Sequence, residues 1–224
     1  MLDKGKYKIK EVKSGEWYLL NTDVFEAEIK THGEIIEVDI TNESEKPDVD
    51  ITKTGIIQTT ANQEIRYDFK IKNTGNVPLS KFTWIDALPT DYVRITKLIT
   101  GTYNQDLNYS IYYKTNKNDY RLLKDNLNTQ VNNYIDFTNL ELDKDEYVTD
   151  FKADFGVVDV GFESVIDPYI FVRVNSNVKN EDKFTNKTRI EGYNKTYMVW
   201  DEDEHTTKVY EKEVNVKKLP KTGF

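Results

Sequence analysis

Along most of the chain Val, Ile, Thr, Tyr and Phe alternate with polar side chains, and clusters of Asn, Asp, Gly and Pro break the alternation at short intervals. A period of two is the mark of strands with one buried face. Strands are expected at residues 6–13, 24–30 and 33–41. They continue at 49–54, 64–72, 82–86, 110–114, 134–137, 148–155, 169–175, 184–191, 197–200 and 206–216. Only residues 122–127 have spacing suited to a helix. Asn73-Thr74-Gly75-Asn76 reads as a turn whose Asn and Gly tolerate positive φ, and Leu88-Pro89 stops the strand before it. The pattern predicts an all-β protein of packed sheets.

Punctuation divides the chain. Residues 1–43 read as a small β module, 44–47 as a polar linker ending at Pro47, and 48–216 as an immunoglobulin-like β-sandwich. Residues 217–224 form a tail. The sandwich is longer than a minimal one, so an insertion is expected around 103–133.

Composition narrows the function. With 38% hydrophobic residues, 15 Tyr and 10 Phe, the 224-residue chain can fill a core. Its net charge of -8 disfavours nucleic acid and anionic lipid as partners. A mean hydropathy of -0.70 gives no membrane span. The absence of cysteine excludes disulfides and thiolate zinc sites, and His32 and His205 are too far apart in sequence to suggest a ligand pair. No metal and no cofactor is expected. The run Asp201-Glu202-Asp203-Glu204-His205 reads as a hydrated hairpin tip, without calcium-loop spacing. No Ser-His-Asp order or phosphate-binding Gly loop is present, so catalysis on an external substrate is not expected.

The tail Leu219-Pro220-Lys221-Thr222-Gly223 resembles the sorting pentad of Gram-positive surface proteins. Pro220 fixes its own φ and extends Leu219, which suits a segment read in an enzyme groove. The resemblance implies cleavage by sortase between Thr222 and Gly223 and attachment of Thr222 to peptidoglycan, hence an extracellular, wall-bound protein. The family's apolar span, basic tail and secretory leader are missing from this sequence, so it is expected to be a piece of a longer protein.

Two further resemblances concern the body of the chain. Gly5-Lys6-Tyr7-Lys8-Ile9-Lys10-Glu11-Val12, Trp17-Tyr18-Leu19-Leu20-Asn21 and Ile36-Glu37-Val38-Asp39-Ile40-Thr41-Asn42 look like the C-terminal half of a collagen-adhesin B-type repeat. That family has a prealbumin-like β-sandwich. The match implies that Glu11 stands at its catalytic Glu and Asn42 at its acceptor Asn, while the strand supplying the lysine is absent. An ordinary three-stranded flap is the alternative. Asp50-Ile51-Thr52-Lys53-Thr54-Gly55, Lys72-Asn73-Thr74-Gly75-Asn76, Phe82-Thr83-Trp84-Ile85-Asp86-Ala87-Leu88-Pro89 and Thr185-Asn186-Lys187-Thr188 are similar to a conserved-repeat β-sandwich family of such surface proteins.

Some relatives of these domains join a Lys on the first strand to an Asn on the last through an isopeptide bond, helped by a buried acid. Pleat parity nominates the residues here. Lys53 shares a face with Val49 and Ile51, Asp86 with Phe82 and Trp84, and Asn186 with Phe184 and Ile190. Inward charges need partners. The alternative has Lys53 reaching water at a strand end, Asp86 capping the turn before Pro89, and Asn186 as a strand-end polar residue.

The expected function is a stalk or adhesin-type surface module held to the wall. One rival is an adhesin that recognises a host matrix protein or glycan through Tyr103, Tyr109, Tyr112, Tyr113 and Tyr120. Another is a pilus subunit, for which Tyr210-Glu211-Lys212 is a poor match to an acceptor motif. A third is a wall-anchored enzyme whose catalytic domain lies outside this sequence.

Overall fold

The computed structural model describes residues 2–211. The sorting pentad, Leu219 to Gly223, lies outside the described residues, as does the end of the strand expected at 206–216. The chain divides into two compact units, Met1–Lys46 and Pro47–Phe224.

The first unit holds one antiparallel pair, β1 (Gly5–Lys10) and β2 (Val24–Ile29), in register from Gly5 opposite Ile29 to Lys10 opposite Val24. Both strands alternate half-buried and exposed residues, as their period-two pattern requires. The third strand expected at 33–41 does not form. Its residues keep the alternation near the end, where Val38 and Ile40 are half-buried, but Ile35 stands 86% exposed. Tyr18 instead bridges Ser44, and the Leu19 N–H donates to the Glu43 carbonyl. No described residue of this unit is buried.

The second unit begins with β3 (Val49–Gly55), β4 (Gln58–Thr59), β5 (Glu64–Asn73), β6 (Leu79–Ala87) and β7 (Val93–Ile99). It continues with β8 (Thr102–Tyr103), β9 (Asn108–Thr115), β10 (Arg121–Asn128), β11 (Tyr134–Asp136) and β12 (Val148–Val158). The last strands are β13 (Ser164–Ile166), β14 (Tyr169–Val174), β15 (Lys183–Asn194) and β16 (Tyr197–Val209). One sheet runs β10-β9-β12-β6-β15-β16-β4 and the other β11-β7-β14-β5-β3, with β13 and β8 paired separately. Every pairing is antiparallel except β4 with β16.

The two large sheets meet face to face over aromatic side chains. Phe69 of β5 packs on Trp84 of β6 with ring centroids 4.7 Å apart, and Trp84 meets Phe151 of β12 edge-on at 4.9 Å. Phe82, Phe155, Phe162 and Tyr103 form a second cluster. An all-β sandwich is therefore what the alternation produces.

Local expectations shifted in three places. Residues 122–127 form part of β10 rather than a helix, because the free edge of β9 offers a ladder that overrides local spacing. The pairing is irregular there, and Asn126 takes a positive φ of 54°. The strands expected at 197–200 and 206–216 are one strand, β16, so the acidic run sits inside a ladder with β15 and not at a hairpin tip. The tip lies between Asn194 and Tyr197, where Lys195 has φ 56°. Finally, β7 was not expected. Its Val93, Ile95, Thr96, Leu98 and Ile99 are all buried, which erases the alternation that marks a one-faced strand.

Candidate cross-link site

The residues that parity nominated come together between the sheets. Along β3 the side chains alternate buried and exposed from Val49 onward, placing Lys53 on the core side at 4% exposure. Asp86 on β6 lies directly opposite Thr188 on β15, and Asn186 follows two residues away on the same face. Asp86 and Asn186 are both fully buried. Lys53 belongs to the five-stranded sheet, and the other two belong to the seven-stranded sheet.

One carboxyl group bridges the other two side chains. Lys53 Nζ donates to Asp86 Oδ1 at 2.5 Å, and Asn186 Nδ2 donates to Asp86 Oδ2 at 3.1 Å. Asn186 Oδ1 is buried and accepts no hydrogen bond from any described residue. Around the amine stand the rings of Tyr67 and Phe69, at 5.0 and 4.9 Å from Nζ. Lys53 is paired in the ladder with Phe69, and parity along β5 sends Tyr67, Phe69 and Ile71 inward beside it. That alternation was a legible signal for the aromatic wall. The Trp84 indole N–H donates to Thr188 Oγ1 at 2.9 Å, and that hydroxyl donates to the Ile85 carbonyl at 3.0 Å. These bonds fix β6 against β15 beside Asp86.

The electrostatics follow from the dryness of the site. Burial pushes the Lys53 amine below the usual lysine range, opposed by the Asp86 charge. Burial pushes the Asp86 carboxyl above its usual range, opposed by Lys53 and by the Asn186 hydrogen bond. Both shifts favour a neutral amine beside a protonated acid.

Glu11 and Asn42 also meet, within the first unit. Asn42 Nδ2 lies 2.8 Å from each Glu11 carboxylate oxygen and 3.1 Å from the Leu19 carbonyl. The Asn21 N–H donates to Glu11 at 2.7 Å. This pair is only partly buried, unlike the trio of the second unit.

The five tyrosines of the expected contact surface divide between the core and the outer face. Tyr103, Tyr109 and Tyr113 are core residues, so the expected insertion around 103–133 is built into the sandwich. Tyr112 and Tyr120 are half-buried on the outer face, with the Lys152 Nζ over both rings at 4.7 and 5.0 Å. Among the described residues no group of His, Cys, Asp or Glu could hold a metal ion, and no helix is long and apolar enough to cross a membrane.

No protein-family model matches the chain, and no curated protein matches it. Among solved structures it is similar to BcpA, the major pilin subunit of Bacillus cereus, at 16% identity and a TM-score of 0.37. That match covers 93% of this chain and 56% of the pilin, so the chain spans little more than half of that protein's length. It is also similar to AvmM, which catalyzes macrocyclization in alchivemycin A biosynthesis (6% identity, TM-score 0.36, 75% of this chain and 92% of that one). A third similarity is to AggA, the major subunit of aggregative adherence fimbriae type I from Escherichia coli (14% identity, TM-score 0.29, 78% and 99%). Similarity of this degree carries no function to the chain, whose functional reading rests on its own site.

Proposed function

We propose that this chain is a load-bearing module of a bacterial surface protein, a stalk or shaft element whose two sheets are joined by an amide between Lys53 and Asn186. The observation that carries the reading is the single buried carboxyl placed between an amine and a carboxamide from opposite sheets. In the reaction the Nζ lone pair of Lys53 attacks Cγ of Asn186. Asp86 takes a proton from Nζ and delivers one to Nδ2. The Cγ–Nδ2 bond breaks and ammonia leaves, so the chain loses one NH₃ and needs no oxidant or cofactor. Asp86 touches the attacking nitrogen with one oxygen and the departing nitrogen with the other, which suits it to carry the proton between them.

The module acts on itself once and has no external substrate in this reading. Force entering on β3 at Lys53 and leaving on β15 at Asn186 passes through the amide and spares the strands between. The sorting pentad adds attachment of Thr222 to peptidoglycan by sortase. Intact mass tests the cross-link: a value about 17 Da below that of the sequence, restored in Lys53→Ala, is expected. An unshifted mass removes the idea. Incubation with sortase and an oligoglycine amine tests the tail, where conjugation at Thr222 is expected and its absence on an accessible tail rejects wall attachment. Sortase-linked ladders of the chain would mark it as a pilus subunit.

A further inference from the structure

β3 is the edge strand of its sheet, laddered to β5 on one side only. An edge leaves a row of unpaired amides and carbonyls. Here β16 of the opposite sheet fills that row with side chains instead of backbone. Asp201 accepts the Ile51 N–H at 3.0 Å, and Asp203 accepts the Lys53 N–H at 2.6 Å. Further along, the Ile56 carbonyl accepts from the Thr207 hydroxyl at 2.9 Å and lies 3.0 Å from His205 Nε2. Ordinary backbone contact takes over only beyond that point, where the Lys208 N–H donates to the Ile57 carbonyl and β4 pairs with β16.

Residues 201, 203, 205 and 207 are alternate positions of one strand, so they share a face. Glu202 and Glu204 point the other way, to Arg189 and Lys187. The acidic run is thus two ladders of different purpose, and its inward half grips the backbone of β3. One of the two amides it holds belongs to Lys53 itself.

We propose that Asp203 is a positioning residue for the bond between Lys53 and Asn186: it fixes the lysine's backbone against β16, so that the amine reaches Asn186 only once the last strand has docked. This rests on the cross-link reading above. The reaction has no diffusing partner, so its rate depends on how well Nζ is held against Cγ, and a displacement of about 1 Å costs on the order of a hundredfold. Lys53 is tethered at its tip by Asp86 and at its root by Asp203, and Asn186 is laddered directly to His205 of the same β16. One strand therefore registers both reacting residues.

Charge and geometry at Asp203 pull in opposite directions, which makes the idea testable. The negative charge of Asp203 favours the ammonium form of Lys53, which is unreactive. The acceptor oxygen is what holds the backbone. Asp203→Asn keeps the acceptor and removes the charge, whereas Asp203→Glu keeps the charge and moves the acceptor outward by a methylene.

The full chain is made by cell-free translation, sampled over time, and the fraction lighter by about 17 Da is followed by intact mass. Asp203→Asn is expected to react within about twofold of the unsubstituted chain, and Asp203→Glu about tenfold or more slowly. Glu204→Gln, on the outward face, is expected to leave the rate unchanged. The same substitutions in an Asn186→Ala background, which cannot cross-link, report their effect on melting. The proposal requires that the Asp203→Glu rate defect exceed its unfolded fraction there. Equal rates for Asp203→Glu and the unsubstituted chain overturn the positioning role and leave the cross-link intact. So does a slow Asp203→Asn, because charge would then be what matters. If the unsubstituted chain never loses ammonia, the cross-link reading falls and this one falls with it.

Discussion

Lys53 on β3 and Asp86 on β6 face one another across the sandwich, with Nζ 2.5 Å from Oδ1 and both side chains wholly withdrawn from water. A buried ion pair of this kind is weak evidence for stability, since desolvation offsets most of the attraction. The cross-link proposed above gives the trio a role other than stability, and the two roles predict different measurements.

If the amide forms, it closes a loop of ~130 residues, worth about 4–5 kcal/mol by chain-entropy arithmetic. Lys53→Met fills the same space without an amine. Its melting temperature is expected to fall by about 8–20 °C, the shift that such a loss produces in a domain of this size. Differential scanning calorimetry of the two chains checks this, and a drop of only a degree or two would show that no covalent tie was lost.

The rate of ammonia loss should depend on pH at both extremes and be flat between them. The pair holds the same number of protons whether one sits on Asp86, as the reaction requires, or on Lys53. Moving that proton between them changes nothing with pH. Burial raises the Asp86 carboxyl and lowers the Lys53 amine. In acid the pair gains a second proton and the amine is blocked; in base it loses its only proton and the acid is spent. Timed intact mass after pH jumps reads the profile. A rate that climbs steadily with pH through neutrality would point to a lone lysine titrating without Asp86.

Gly55 ends β3 against the ring of Tyr67. A Cβ there would lie 2.6 and 2.9 Å from two ring carbons and 3.0 Å from His205 Cδ2. Tyr67 has little freedom to yield, because it is fully buried and its hydroxyl shares a hydrogen bond with Thr207. Gly55→Ala is expected to destabilise the second unit by about 1–3 kcal/mol, the usual cost of overpacking. Urea unfolding of the Asn186→Ala chain with and without the change measures it free of any cross-link.

The two units should differ in how readily they open. No described residue of Met1–Lys46 is buried, whereas the second unit surrounds Trp84, Phe82 and Phe151 almost completely. Local opening is easiest where few apolar contacts must be broken. Brief trypsin treatment followed by mass measurement should therefore trim the first unit, rich in Lys, and leave residues 47–211 whole. Equal resistance of both would contradict this.

What the sequence revealed and what it hid have the same cause. Lys53, Asp86 and Asn186 were legible because a strand's parity is local: each sits in register with apolar neighbours one pleat away. The alternation also yielded the sandwich, although β7 escaped because both of its faces are covered. The strand expected at 33–41 failed for the opposite reason: its alternation is present, but no neighbour ladders with it. Asp201 and Asp203 were misread as a solvated tip because four acidic residues in a row show no period. Their partners, Ile51 and Lys53, lie 150 residues away. Nothing within a short window distinguishes a carboxylate bound for water from one bound for the backbone of a distant edge.

Lys53, Asp86 and Asn186 are all buried between the sheets, so an amide joining Lys53 to Asn186 would be closed off from bulk solvent. Hydrolysis of such an amide would need a water molecule carried to Asn186 Cγ through the packed core. Ammonia released in forming it would be diluted away, leaving that step no practical reverse. In a chain with no cysteine, such a fastening would hold equally under reducing and oxidising conditions, indifferent to thiols that open disulfide-bonded folds.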